Sequence, residues 1–134
     1  PMTTFDFLLA VFNTLDAALS VTVFLRSAMP QDVPSPCVIV EPLESRMSST
    51  FNRSTTETVR FAVRIHHRKG PDFYSALRFD VAEEIRTALK PSIPVGGKPV
   101  GIFESTQRSI PSYEAEGDRA LDLLIEFETF LFHE

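Results

Sequence analysis

The segment from Thr55 to Arg68, TTETVRFAVRIHHR, constrains the fold most. It alternates with period two throughout. Val59, Phe61, Val63 and Ile65 fall on one side, and Arg60, Ala62, Arg64, His66 and Arg68 on the other. Successive side chains of a strand point to opposite faces, so the pattern predicts a long strand with one buried and one exposed face. The exposed face carries Arg60, Arg64 and Arg68, and this row needs a partner of opposite charge. Asp122, Glu126 and Glu128 near the C-terminus supply one.

Size and composition narrow the classes. The 134 residues fit one domain, residues 1–134, and a hydrophobic fraction of 43% with 23% charged predicts a globular rather than a disordered chain. Apolar runs are too short for a membrane span. The apolar segment from Thr3 to Leu19 lacks a basic leader and holds Asp6, Asn13 and Asp16, so it is not read as a signal peptide. Pro1 ahead of Met2 fits removal of an initiator Met or an added residue. Cys37 is the one cysteine, which excludes an internal disulfide and suggests a reducing compartment. A net charge of −5 argues against duplex binding as the main task.

Taken in order, Thr3 to Leu19 reads as a helix. Phe5, Leu8, Leu9, Phe12, Leu15 and Leu19 make an apolar stripe, Thr3 and Asp6 a capping box, and Met2 and Phe7 a hydrophobic staple. A short strand follows at Ser20 to Arg26, and a second at Cys37 to Glu41 that Pro42 should end. Residues 43–55 are polar and aperiodic and are expected to form a mobile hairpin arm before the long strand. Asp72 caps a second helix to Leu89, built on Phe73, Leu77, Val81, Ile85 and Leu89, with Pro91 as its stop. Gly96 and Gly97 mark a tight turn, Val100 to Gln107 a fourth strand, and Arg119 to Phe132 the last. The order αβββαββ predicts a two-layer α+β fold. Its sheet is mainly antiparallel, with two helices packed on one face.

Two readings of the charged strand faces stay open. Cross-strand ion pairs contribute roughly 0.2–1 kcal/mol each, which suits a solvated sheet face within one subunit. Alternatively this face packs on a neighbour, with Phe130 and Phe132 contributing aromatic area beside Arg60, Arg64, Arg68, Asp122, Glu126 and Glu128. No chemistry-bearing motif competes with these readings. His66 and His67 point to opposite faces of a strand and cannot chelate one metal together. Cys37 opens an apolar strand as a buried thiol. The segment from Pro94 to Gly101 lacks phosphate-loop spacing, and no hydrolase, zincin or dinucleotide-binding pattern is present. No catalytic residue, metal or cofactor is expected.

The order of elements, with VPSPCVIVE at Val33 to Glu41, ETVRFAVRI at Glu57 to Ile65 and a helix ending in IRTAL at Ile85 to Leu89, resembles the tail-terminator and tail-completion proteins of long-tailed bacteriophages. The resemblance spans nearly the whole chain. It implies a virion protein of the tail–neck junction, assembled in the host cytoplasm. Such proteins form a homo-oligomeric ring, usually a hexamer, that caps the tail tube, ends its polymerisation and meets the head connector. DNA would pass through without specific binding. By position, Arg46, Met47, Phe51 and Arg53 would face tube or connector, and Glu114, Glu116 and Asp118 would line the lumen. A head-side neck protein of similar fold is the alternative. A small enzyme or ligand-binding domain is the distant one.

Overall fold

The computed structural model describes residues 3–30, 34, 36–49, 55–66, 76–111 and 121–133. Its elements are α1 (Thr4–Ala18), β1 (Thr22–Leu25), a 3-10 turn (Arg26–Ala28), β2 (Cys37–Ser49), β3 (Thr55–His66), α2 (Ala76–Leu89), β4 (Ser92–Val95), β5 (Lys98–Gly101), β6 (Phe103–Pro111) and β7 (Leu121–His133). The main sheet has the order β1-β2-β3-β7-β6, and β4 and β5 form a separate hairpin. Among the described residues, β1 and β2 pair in parallel and every other neighbouring pair is antiparallel. The architecture is α+β, with the expected element order carried by the main sheet and the small hairpin added to it.

The alternation in β3 builds the core. Val59, Phe61, Val63 and Ile65 are buried against Leu123, Ile125, Phe127 and Leu131 of β7 and against both helices. Burying each such side chain contributes about 1.5–3 kcal/mol. Phe61 stacks on Phe127 with ring centroids 5.4 Å apart and meets Phe7 of α1 edge-on at 5.5 Å. One aromatic column thus ties α1 to both central strands.

Helix α1 starts at the expected capping box: Thr3 Oγ1 accepts from the Asp6 amide, and Asp6 accepts from the Thr3 amide. The buried stripe differs from the one expected. Phe7, Leu8, Val11 and Leu15 face the core, while Phe5 is 59% exposed and Leu9 36%. Both stripes satisfy helical spacing, because the helix is apolar around most of its circumference. Helix α2 buries Val81, Ile85 and Leu89 as its spacing predicts, and Ala82 beside them. Arg86 then clamps it to the edge of the sheet, with Nε and Nη2 on the two carboxylate oxygens of Glu104 at 2.8 and 3.2 Å. Hydrogen bonds from Arg86 outweigh the opposing effect of burial and hold the Glu104 carboxyl below its ordinary range. Asp72 and Phe73 lie outside the described residues, as does Met2.

Two strand boundaries correct the sequence reading. Pro42 does not end β2, which runs on to Ser49 as one arm of a long hairpin with β3. Residues 43–49, expected in an irregular arm, are strand. The reason is that β1 stops opposite Val40, so Pro42 lies where β2 has become an edge strand. A missing N–H is tolerated there, and the register shift between Pro42 and Glu44 absorbs the proline. The strand expected at Val100 to Gln107 is two strands, broken at Ile102. Ile102 is buried, and its amide donates to the Pro91 carbonyl at 2.9 Å, which carries the chain from the small hairpin to the main sheet. The turn of that hairpin holds Gly96 and Gly97 at φ 59° and 82°, as the Gly-Gly pair predicts.

Candidate functional site

The helices cover one face of the main sheet; the other, expected to be exposed, is buried at its β1 end, where Ala62, His66 and Leu124 are inaccessible and Cys37 and Ile39 pack with Phe24 and Met29, and opens toward the hairpin end. Cross-strand registers place the open-face residues in rows. Ile39, Arg64, Leu124 and Arg108 form one row, Glu41, Ala62, Glu126 and Thr106 the next, and Glu44, Arg60, Glu128 and Phe103 a third. Toward the hairpin end follow Arg46, Thr58 and Phe130, then Ser48, Thr56 and Phe132.

The expected charges meet, and they meet within one chain. Arg64 reaches Glu41 at 2.7 Å and Asp122 at 2.9 Å, and Asp122 also holds His66 Nδ1 at 2.9 Å. Asp122 and His66 are buried, and the Arg64 side chain is 13% exposed. Burial works against the Arg64 charge, but its hydrogen bonds to Glu41 and Asp122 outweigh that and raise its affinity for the proton. A second, more open group lies beside it. Glu126 accepts from Arg60 at 3.3 Å, Arg108 at 3.1 Å and Thr106 at 3.0 Å, while Arg60 also reaches Glu44 at 3.3 Å. Glu128 faces Arg60 in register, yet Arg60 turns to Glu44 and Glu126. Glu128 instead lines a shallow depression with Glu44, Arg46, Thr58, Arg60, Ser105 and Phe130.

Past this charged region the open face turns aromatic. Phe103 and Phe130 lie 5.8 Å apart between ring centroids. Phe103 is 56% exposed, Phe130 38% and Phe132 78%. Three exposed phenylalanines at one end of a sheet are the kind of apolar patch that marks a protein contact.

On the helix-bearing face, Glu57 is buried at the start of α1. It accepts from Thr4 and Ser45, and His133 Nε2 lies 3.1 Å from its carboxylate. Burial pushes the Glu57 carboxyl up, but these hydrogen bonds prevail and hold it below the usual range. The cluster fastens the first turn of α1 to the end of the β2–β3 hairpin.

Of the residues singled out by sequence, Arg60, Arg64, Asp122 and Glu126 come together, and Phe130 joins Phe103 nearby. Arg46 and Met47 both lie on β2; Arg46 shares the open face, and Met47 faces the other way, opposite Glu57. Arg68, Phe51, Arg53, Glu114, Glu116, Asp118 and His67 lie outside the described residues. Sequence reasoning missed Glu41, Glu44, Arg108 and Phe103. Glu44 was lost with the reading of Pro42 as a strand end. Among the described residues, no group of three or more His, Cys, Asp or Glu is placed to hold a metal ion. Cys37 is buried, opposite His66 in register.

No protein-family model matches the chain, and no curated protein matches it in sequence. Among solved structures it is similar to a chain from the virion of a native gene transfer agent particle. The TM-score is 0.65 at 13% identity, over 92% of this chain and 94% of the other. The two chains share a fold over nearly their full lengths.

Proposed function

We propose that this chain is a structural component of a phage-like particle, forming a hexameric ring that caps the tail tube, ends its growth and joins it to the neck. The observation that carries the reading is the fold shared with a virion chain across almost all of both molecules. The open face supports it. Its charges are largely satisfied within the chain, while Phe103, Phe130 and Phe132 are left exposed beside Arg60 and Glu128. That arrangement suits a contact between protein surfaces. Arg64, Asp122 and Glu126 serve the contact as rigid backing, since their polar atoms are engaged inside the subunit. No enzymatic role is assigned.

The test is binding to purified particle parts. Sedimentation with tail tubes should carry the chain into the pellet and halt further tube growth. Binding to the head connector alone would favour a head-side neck protein of the same fold. Binding to neither would contradict the reading.

A further inference from the structure

Both edges of the main sheet are open over part of their length. β1 ends opposite Val40, so from Glu41 to Ser49 β2 has no outer neighbour among the described residues. β6 closes the other side of the sheet, and its outer edge is likewise unpaired among the described residues. An open edge presents backbone N–H and C=O groups able to bind another strand. Chains blunt such edges with prolines and bulges. Here Pro42 and the adjacent bulge sit at one end of the open part of β2, while Pro111 and the bulge between Glu104 and Thr106 bracket β6. Between these devices lie two exposed stretches without proline, Glu44–Ser48 and Thr106–Ser109.

The directions match. β2, β3, β7 and β6 are antiparallel in succession, so β2 and β6 run opposite ways. A copy displaced along the sheet sets its β6 antiparallel beside β2, with the alternation unbroken and the open face on the same side. One chain therefore carries both halves of the contact, which favours a second copy over a foreign strand. We propose that copies join edge to edge, Glu44–Arg46 of one pairing with Thr106–Arg108 of the next, Glu44 facing Arg108 and Arg46 facing Thr106. All four positions lie on the open face in their own chain, and Glu44 and Arg108 are of opposite charge. The seam is head-to-tail, so it generates a ring if the rotation between copies closes. Sheet twist supplies a rotation of one hand at every step.

This inference rests on the self-assembly in the proposed function. The experiment mixes Arg46→Cys chains with Thr106→Cys chains and adds a short bis-maleimide; solution mass is measured in parallel. Both positions are exposed, and Cys37 is buried away from the reagent. The expected result is a cross-linked heterodimer as the main product. The control pairs Arg46→Cys with Glu83→Cys on the exposed side of α2 and should give little. A ring by mass whose 46/106 product does not exceed the control overturns the seam and leaves the ring. A monomer by mass with no cross-link overturns both.

Discussion

Arg64 and Asp122 are where the charged face is least tolerant. Asp122 is fully buried between Arg64 and His66, so removing the arginine strands a carboxylate in the interior. Breaking one side of a buried pair costs about 3–5 kcal/mol. Arg64→Ala, and more so Arg64→Glu, should therefore lower the urea midpoint of the chain itself. Arg60→Ala should cost at most about 1 kcal/mol, because the Arg60 side chain is 35% exposed and its partners are shared. Equal losses in the two variants would contradict the assigned burial. Glu57 predicts a pH dependence. Its folded pKa lies below the ordinary value of 4.5, so between the two the unfolded chain binds the proton and the folded chain does not. The stabilisation is complete above about 4.5 and is lost as the pH falls through the folded value. Urea midpoints measured from neutral pH downward should fall across this window, and Glu57→Gln should flatten that fall.

The strands and helices show what the sequence carries and what it withholds. The period of two in β3 placed Val59, Phe61, Val63 and Ile65 correctly, because a residue of a central strand has only two faces to choose between. Helix α1 offered no such binary choice. With Phe5, Phe7, Leu8, Leu9, Val11 and Phe12 all apolar, two stripes fit equally, and the Phe7–Phe61–Phe127 column decided between them. Pro42 misled because the rule against proline applies to central strands, and local sequence does not say that β1 is too short to keep β2 central. The opposite rows of charge were legible, and so was their proximity. That Glu41, Glu44 and Arg108 join them depends on register, which the turn and the bulges set. The hairpin after α2 makes its own prediction. Gly97 sits at φ 82°, in left-handed space that costs other residues roughly 1–2 kcal/mol. Gly97→Val should lower thermal stability by about that amount without changing the main sheet, read by denaturation and by circular dichroism.

The molecule as a whole is a two-layer fold with one face closed by helices; the other exposes phenylalanines toward its hairpin end, which are assigned to contact with tube or neck, while the strand edges are assigned to contact between copies. The ion pairs within that face hold β2, β3, β7 and β6 in register, and the exposed phenylalanines lie beyond them toward the hairpin end. Rigidity and stickiness are thus separated along the same strands. Phe130→Ser with Phe132→Ser should leave the chain folded, lowering its stability by only about 0.5–1.5 kcal/mol for the lost Phe103–Phe130 ring contact, read from the urea midpoint. The same variant should keep its ring, because the seam lies on the strand edges, and lose binding to tail tubes. Light scattering behind a sizing column, run on the unaltered chain and on this double variant, tests the central claim most directly. The account predicts a closed species of about 90 kDa, roughly six times the 15.0 kDa chain, for the unaltered protein and for the variant alike. A monomer for both, persisting at high protein concentration and in the presence of tail tubes, would contradict it.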